Sequence, residues 1–236
     1  MISVCMATYN GAAYVKDQVD SILVQLTNAD ELIISDDGSI DGTLAILSEY
    51  AADPRIKILK GPGRGLIKNF EYGISQSKGQ LIFLADQDDV WLPNKVAKTK
   101  AVFAENPNVE VVISDLAVTD SALKVVAPSY FQLKQVKSGF WHNVWRNGYI
   151  GAGMAFRSRM KAQILPFPEK IPMHDMWIGL TAGENLQLLP EPLTLYRRHD
   201  GNSSELNTST SFYQKLIWRI HLLVALGRQR KKKHKS

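Results

Sequence analysis

The sequence has one cysteine and no long apolar run, and both scarcities narrow the classes of protein that it can encode. Because Cys5 stands alone among 236 residues, an internal disulfide is excluded and nothing ties the fold to an oxidising compartment. No stretch reaches the roughly 18 apolar residues that a membrane span needs. The opening residues also lack the basic segment and apolar run of a signal peptide, so we expect a cytoplasmic protein.

Most of the chain carries nearly equal numbers of positive and negative charges. The net charge is +5, but the last nine residues, RQRKKKHKS, hold six of the 28 Lys and Arg, which leaves 22 against 23 Asp and Glu. Before them, bulky apolar residues recur near helical spacing at Phe212, Leu216, Ile220 and Leu223. A basic amphipathic helix with such a tail favours binding to an anionic membrane surface. A helix packed on the domain with a solvated tail is the alternative, and no nucleic acid partner is expected.

Short apolar runs alternate with helical segments along the first half of the chain. The runs are ISVCMA, ELIIS, RIKIL, QLIFLA and VEVVIS, and the helical segments lie near residues 12–26, 41–51 and 66–77. A further helix is predicted from Pro93 through KVAKTKAVFAE. This rhythm predicts an α/β protein with a Rossmann-like, mostly parallel sheet flanked by helices. From about residue 127 to 149 the chain is rich in Pro, Gly and aromatic residues, which predicts long loops.

Polar clusters follow four of these apolar runs. They read ATYNG, SDDGSIDGT, GPGRG and DQDD, and parallel strands bring such ends together at the ligand-binding edge of an open sheet. In DQDD an extended backbone places Asp86 and Asp88 on one side. Two hard oxygen ligands there suit Mg²⁺ or Mn²⁺ that is also held by substrate phosphates. The alternative is that Asp88 or Asp89 caps a helix that begins near Leu92.

The ordered set of motifs resembles family 2 glycosyltransferases of the GT-A fold. It comprises ATYNG, ISDDGSIDGT, GLIKNF, LADQDDVW, MHDMW and LYRRHDGNSS. The resemblance covers residues 2 to about 204 and implies a GT-A domain over residues 1–204, with a nucleotide-sugar-binding half (1–115) and an acceptor-side half (116–204). Residues 205–236 would then form the C-terminal amphipathic helix and polybasic tail.

The same resemblance implies roles for individual residues. In this family a DxD motif holds a divalent cation against the diphosphate of a nucleotide sugar, which implies Asp86 and Asp88 as metal ligands. A histidine after the last strand often completes the metal shell, which implies His199. The residues expected to bind the nucleotide sugar are Thr8, Tyr9, Asn10, Asp36, Asn69 and Asp86.

The motif MHDMW is expected to supply the catalytic base. Its Asp175 stands where the resemblance places the base of inverting enzymes, and the same aspartate could also cap the helix MWIGLTAGE. Contacts to phosphate or acceptor are expected from Arg197, Arg198, His174 and Trp177. Guanidinium groups match phosphate oxygens in a fork, but the sequence does not decide between the two arginines.

Together these features predict an inverting, metal-dependent glycosyltransferase with Mg²⁺ or Mn²⁺ as cofactor. The expected donor is a nucleoside-diphosphate sugar such as dTDP-rhamnose or a UDP-sugar, and the expected acceptor is a glycan or lipid-linked hydroxyl in O-antigen or capsule synthesis. The motifs most resemble rhamnosyltransferase-like bacterial enzymes, and we expect the protein on the cytoplasmic face of the inner membrane. The alternatives are a sugar-phosphate nucleotidyltransferase and a non-catalytic nucleotide-sugar-binding module.

Overall fold

One mixed sheet of nine strands organises the described part of the chain. The computed structural model describes residues 1–199 and 212–233, and in the second range it places the side chains of residues 216–229. The domain boundary expected between residues 204 and 205 lies outside these residues. The strands are β1 (Ile2–Thr8), β2 (Glu31–Asp36), β3 (Ile56–Lys60), β4 (Leu81–Asp86), β5 (Val90–Trp91), β6 (Val111–Thr119), β7 (Val125–Ala127), β8 (Met154–Arg157) and β9 (Leu186–Arg197).

The strands follow the order β3-β2-β1-β4-β8-β6-β9-β5, and β7 pairs with β6. Strands β3, β2, β1 and β4 are mutually parallel, and β6 is parallel to β9. Strand β8 runs antiparallel between β4 and β6, while β5 pairs antiparallel with β9 directly after the DQDD motif. The predicted α/β architecture with a mostly parallel sheet is confirmed. The antiparallel strands β5, β7 and β8 are features that the apolar pattern did not predict.

Helices flank the sheet and connect its strands. They are α1 (Val15–Leu23), α2 (Thr43–Ser48), α3 (Leu66–Gln76), α4 (Lys95–Glu105), α5 (Tyr130–Lys134), α6 (Phe140–Trp145), α7 (Lys161–Ile164), α8 (His174–Ala182) and α9 (Phe212–Lys233). The first three confirm the predicted helical segments, each shorter than expected. The helix predicted from Pro93 begins instead at Lys95, because Asn94 has a left-handed φ of 67° that a helix interior does not permit. The segment expected to form long loops contains the short helices α5 and α6.

Apolar side chains cover both faces of the sheet. All seven residues of β1 are buried, and alternate residues enter different cores, with Cys5 and Ala7 in one and Val4 and Met6 in the other. This two-sided burial explains why the strands read as continuous apolar runs rather than as alternating ones. The core on both faces holds the loops at the strand ends in fixed positions.

The C-terminal helix α9 packs on the rest of the chain through a different face from the one predicted. Leu222 and Leu226 are 0% and 3% exposed and join the core, whereas Ile220 of the predicted stripe is 52% exposed and Leu223 packs only partly. The side chain of Phe212 lies outside the described set. Helix α9 is thus packed on the domain, and the expected attachment to a membrane surface stays a prediction. No helix in the described ranges is both long and apolar enough to cross a membrane.

We expect Gly79→Ala to lower the free energy of unfolding by about 1–3 kcal/mol, because a Cβ at Gly79 would lie 2.4 Å from backbone atoms of Ile2 and Ser3 in β1. Thermal melting followed by circular dichroism measures the change. Gly227→Ala is the matched control, since a Cβ there meets nothing within 4 Å and alanine favours the helix. A melting temperature for Gly79→Ala equal to that of the parent would contradict the close packing inferred at β1.

Candidate active site

A cavity of about 700 Å³ opens at the carboxyl ends of β1 and β4. Loops after β1, β2, β3 and β4 form one wall, and the segment 147–151 with the start of α8 forms the other. The predicted site residues that line it are Thr8, Tyr9, Asn69, Asp86, Asp88, His174 and Asp175. The fold therefore brings residues from both halves of the chain to one cleft.

Three aspartates lie at the end of β4 and in the loop that follows it. Burial raises the pKa of Asp86 to about 7, and the charges of Asp88 and Asp175 add to this rise. Asp89 is fully buried, and burial together with Asp86 and Asp88 raises its pKa well above the ordinary value. Among the described residues only its Oδ1 has a hydrogen-bond donor, the backbone N–H of Arg197 at 3.1 Å. Asp89 therefore braces the loop against β9 and does not cap α4.

A buried lysine lies behind this acidic loop. Lys95 donates from Nζ to the carbonyl of Ala152 and to the hydroxyl of Thr194, both at 2.6 Å. Burial lowers its pKa to about 7, although the charges of Asp89 and Asp86 oppose the change. At neutral pH this lysine therefore offsets the aspartates less than an exposed lysine would.

The two arginines expected at phosphate make contacts within the protein. Arg197 is 4% exposed, and its guanidinium donates to Asp17 at 2.8 Å and lies 4.7 Å from the ring of Tyr14. Arg198 donates to the hydroxyl of Tyr196 at 3.1 Å. Neither arginine is among the residues that line the cavity. In this arrangement Arg197 ties the end of β9 to α1.

His199 lies beside Asp88, with its Nε2 2.9 Å from Oδ2 of the aspartate. The centroid of its imidazole ring is 4.5 Å from the centroid of the phenol ring of Tyr14. Two carboxylates and an imidazole form a donor set that Mg²⁺ or Mn²⁺ accepts. Burial is the main cause of the raised pKa of Asp86, and the charges of Asp88 and Asp175 add to it, so a cation would favour the ionised form. Within residues 1–199 and 212–233, no three such groups converge closely enough to hold a metal ion by themselves. The residues thus fit a cation that takes further ligands from a substrate.

Hydrogen bonds join the polar loops that follow β1 and β2. Asp36 accepts from the hydroxyl of Thr8 at 2.9 Å and from the backbone N–H and hydroxyl of Ser39 at 2.8 and 2.6 Å. Asn10 accepts from the N–H of Ile40 at 2.9 Å. Neither Asp36 nor Asn10 lines the cavity, so in this structure their side chains shape the loops around it.

The second aspartate of the SDDG motif does reach the cavity. Asp37 accepts from the backbone N–H groups of Gly63 and Gly65 with its two oxygens, both at 2.7 Å, and so fixes the GPGRG turn. Asn69, at the start of α3, donates to the carbonyl of Ser35 at 2.7 Å and also lines the cavity. Asp37 and Asn69 therefore tie the turn after β3 and helix α3 to the end of β2.

Asp175 lies in the first turn of α8 and faces the cavity. Its oxygens accept from the backbone N–H of Met176 at 2.6 Å and of Gly151 at 3.1 Å. Burial raises its pKa to about 6, while these backbone hydrogen bonds act in the opposite direction. A carboxylate held rigidly with a pKa near neutrality has the properties of a general base. The helix begins at His174 with Met173 as its N-cap residue, so Asp175 lies inside the first turn and is not the helix cap that the sequence allowed.

The neighbours of Asp175 on α8 are buried in different ways. His174 stacks on Phe70 with ring centroids 4.1 Å apart, and within the described residues neither ring nitrogen has a hydrogen-bond partner. Burial lowers the pKa of His174 to about 3, so the imidazole is neutral. Trp177 was expected near the acceptor, but it is 2% exposed in the core and donates to the carbonyl of Ile164 at 3.0 Å. Its side chain anchors α8 in the core and does not line the cavity.

Several cavity residues lie outside the set predicted from the sequence. They are Asp37, Gln87, Tyr130, Asn147, Tyr149 and Tyr196, together with glycines and apolar residues. Gln87 could have been found, since it lies inside DQDD, where it exchanges two hydrogen bonds with the backbone of Tyr9 at 2.9 and 3.0 Å. Tyr130 and Asn147 belong to the irregular segment between the sheet strands, which carries no motif.

Residues 3–163 match the model of glycosyl transferase family 2, so the chain belongs to this family. An uncharacterized glycosyltransferase of Nostoc sp. is 26% identical over 213 residues, covering 86% of this chain and 66% of the relative. Chondroitin synthase of Pasteurella multocida is 34% identical over 97 residues, covering 41% of this chain and 10% of that protein. The chain thus spans less than two thirds of the length of these relatives.

The fold is shared with solved structures as well. S. aureus TarS 1-349 in complex with UDP-GlcNAc superposes with a TM-score of 0.71 at 18% identity, over 94% of this chain and 66% of that one. The GT-A fold implied by the sequence motifs is therefore confirmed. Family membership also argues against the nucleotidyltransferase alternative. Asp175 and His199 lie beyond residue 163, so the family match does not reach them.

We expect Asp89→Asn to raise the melting temperature in EDTA at pH 8 by a few degrees. The asparagine Oδ1 still accepts from the N–H of Arg197, while a buried charge is removed. The folded state holds the proton of Asp89 more tightly than the unfolded chain does, so its ionisation destabilises the fold as pH rises above about 4. The gain should therefore shrink as the pH is lowered toward 4, which calorimetry can follow.

The control for this experiment is Asp37→Asn, whose carboxylate accepts two backbone N–H groups that one amide oxygen cannot both bind well. It should lower the melting temperature. If Asp89→Asn is also less stable than the parent at pH 8, the buried carboxylate is compensated and the electrostatic account of the loop is wrong.

Proposed function

We propose that the protein is an inverting, metal-dependent glycosyltransferase that moves a sugar from a nucleoside diphosphate to a hydroxyl. The observation that carries the proposal is that Asp86, Asp88 and Asp175 line one cavity, although they come from distant parts of the chain. Sugar transfer needs positive charge at a departing diphosphate and a base at the incoming hydroxyl. The cavity offers carboxylates suited to both tasks.

The donor occupies the wall formed by the first half of the chain, residues 1–115. Asp86, Asp88 and His199 would hold the cation, which would neutralise charge on the diphosphate as a Lewis acid. The turn fixed by Asp37 brings backbone of the GPGRG loop to the cavity, where it can approach a nucleotide closely. TarS, a structural neighbour, has been solved with UDP-GlcNAc and with UDP. This supports a UDP-sugar as the donor, and dTDP-rhamnose is the other candidate.

Asp175 is the base in this proposal. Each of its oxygens accepts one backbone N–H and keeps a lone pair for a substrate hydroxyl. The acceptor oxygen forms a bond to the anomeric carbon, the bond from that carbon to the diphosphate oxygen breaks with its electron pair, and the hydroxyl proton passes to Asp175. Attack on the side opposite the leaving group inverts the configuration of the sugar.

The acceptor occupies the wall formed by residues 116–199. Tyr130, Asn147 and Tyr149 present rings, hydroxyls and an amide of the kind that bind sugars. We infer a glycan or lipid-linked acceptor in the synthesis of a surface polysaccharide such as O-antigen or capsule, with a rhamnosyltransferase-like specificity. The same proposal places the protein on the cytoplasmic face of the inner membrane, with its basic C-terminal segment at anionic lipid.

A panel of nucleotide sugars tests the function directly. One UDP- or dTDP-sugar should be hydrolysed slowly, or should raise the melting temperature, and either effect should need Mg²⁺ or Mn²⁺. Nucleoside triphosphates with sugar phosphates serve as the second arm. Turnover in that arm alone would identify a nucleotidyltransferase, and binding with neither hydrolysis nor transfer to any acceptor would leave a binding module.

Asp86→Ala and Asp88→Ala should each abolish transfer and weaken Mn²⁺-dependent binding of the nucleoside diphosphate by at least tenfold, about the energy of one charge-assisted contact. Calorimetric titration with and without Mn²⁺ measures this. Asp20→Ala is the control, because that aspartate pairs with Lys16 on the exposed face of α1. Equal affinity in the parent and both cavity variants would remove the metal role.

Asp175→Asn should keep donor affinity, while transfer falls by at least about 10² through loss of the base. For the parent, kcat/KM should fall as the pH drops below about 6, because the protonated carboxyl cannot accept the hydroxyl proton. The residual activity of Asp175→Asn should lack that decline. Should the variant transfer within a few fold of the parent, Asp175 has only a structural role in the first turn of α8 and the base lies elsewhere.

A further inference from the structure

Two tryptophans stand out on the surface of the protein. Trp141 and Trp145 lie four residues apart on α6 and are 66% and 58% exposed. The helix that carries them is firmly held, since Val144 is 2% exposed and Asn143 donates to the carbonyls of Lys137 and Gly139 at 2.8 and 2.9 Å. A held helix that presents two large rings to solvent marks an interaction surface.

Helix α9 contacts α6 and also exposes apolar side chains. Arg219 donates to the carbonyls of Val144 and Trp145 at 3.1 and 2.6 Å, and its guanidinium lies 5.0 Å from the ring of Trp145. Ile220 and Val224, one helical turn apart, are 52% and 47% exposed. We call Trp141, Trp145, Ile220 and Val224 the tryptophan patch.

The two sequence segments that contain this patch have no Asp or Glu. Residues 121–168 contain seven Lys and Arg and no Asp or Glu, and residues 206–236 contain eight Lys and Arg and no Asp or Glu. The first of these segments includes α6 and the second includes α9. The exposed rings thus belong to segments whose only charged side chains are Lys and Arg. Such a surface complements an anionic lipid bilayer, because Trp is enriched at the headgroup level and Lys and Arg attract acidic headgroups.

We propose that the tryptophan patch is a membrane-docking surface that inserts into the interface of an anionic bilayer. This goes beyond contact through the basic C-terminal residues, because it assigns the apolar part of the attachment to α6 and fixes the orientation of the body. Asn147 and Tyr149, two and four residues after Trp145, line the cavity. Docking through the patch therefore sets the acceptor side of the cavity next to the lipid headgroups.

Co-sedimentation of the full chain with vesicles tests the proposal. The parent should bind phosphatidylcholine vesicles containing phosphatidylglycerol and bind pure phosphatidylcholine much less. High salt should weaken the binding but leave a part that charge screening does not remove. The double variant Trp141→Ala/Trp145→Ala should bind the anionic vesicles about tenfold more weakly and lose that salt-resistant part, because interfacial binding scales with buried apolar area.

The matched control is Val24→Ser, since Val24 is 84% exposed at the end of α1, outside the patch. It should bind vesicles as the parent does. Donor binding measured in the absence of lipid should be the same in all three proteins, which separates failure of this proposal from failure of the proposed function. Equal vesicle binding by the parent and the double variant overturns the proposal, and so does a parent that binds no vesicles. A parent that is dimeric by light scattering while the double variant is monomeric assigns the patch to a second copy of the chain instead.

Discussion

The hydrogen bond between Asp89 and the backbone of Arg197 is the constraint on which the site depends. It fastens the acidic loop after β4 to the far end of β9, and the short pairing of β5 with β9 does the same one residue later. Lys95 adds a third link through the hydroxyl of Thr194. Three aspartates in four residues would otherwise repel one another into solvent. These links hold the loop in place, with Asp86 and Asp88 lining the cavity and Asp89 buried.

The basic side chains near the acidic loop do not line the cavity, whereas two of its aspartates do. Lys95 and Arg197 face the interior and bind groups of the protein, while Asp86 and Asp88 face the cavity. Lys95 and Arg197 therefore offset the negative charge of the acidic loop only in part. The remaining charge is available for a ligand. Burial of carboxylates in this way costs stability, which is a familiar property of sites that must bind cations.

The sequence allowed the first half of the fold to be predicted, because continuous apolar runs and strand-end polar clusters are local patterns. The same clusters placed Asp86 and Asp88 at the cavity, and the resemblance of MHDMW to a family motif placed Asp175 there. The inward direction of Arg197 and Trp177 could not be predicted, since their partners Asp17 and Ile164 lie far away in the chain. In the SDDG motif, the alternation of side chains along an extended backbone shows that Asp36 and Asp37 face different ways. Only the packing of the loops decides which of them reaches the cavity. The residues on α5 and near α6 had no repeating pattern to reveal them.

The long strand β9 also has a consequence for the order in which the molecule forms during synthesis. Strands β1 to β4 pair among themselves and can assemble as soon as they leave the ribosome. The acidic loop has to wait, because its partners on β9 are translated about a hundred residues later and join the sheet through contacts of long sequence separation. A nascent chain therefore carries an unfastened cluster of carboxylates until β9 arrives, and a chain truncated before β9 would keep strands β1 to β4 without ever fastening the acidic loop.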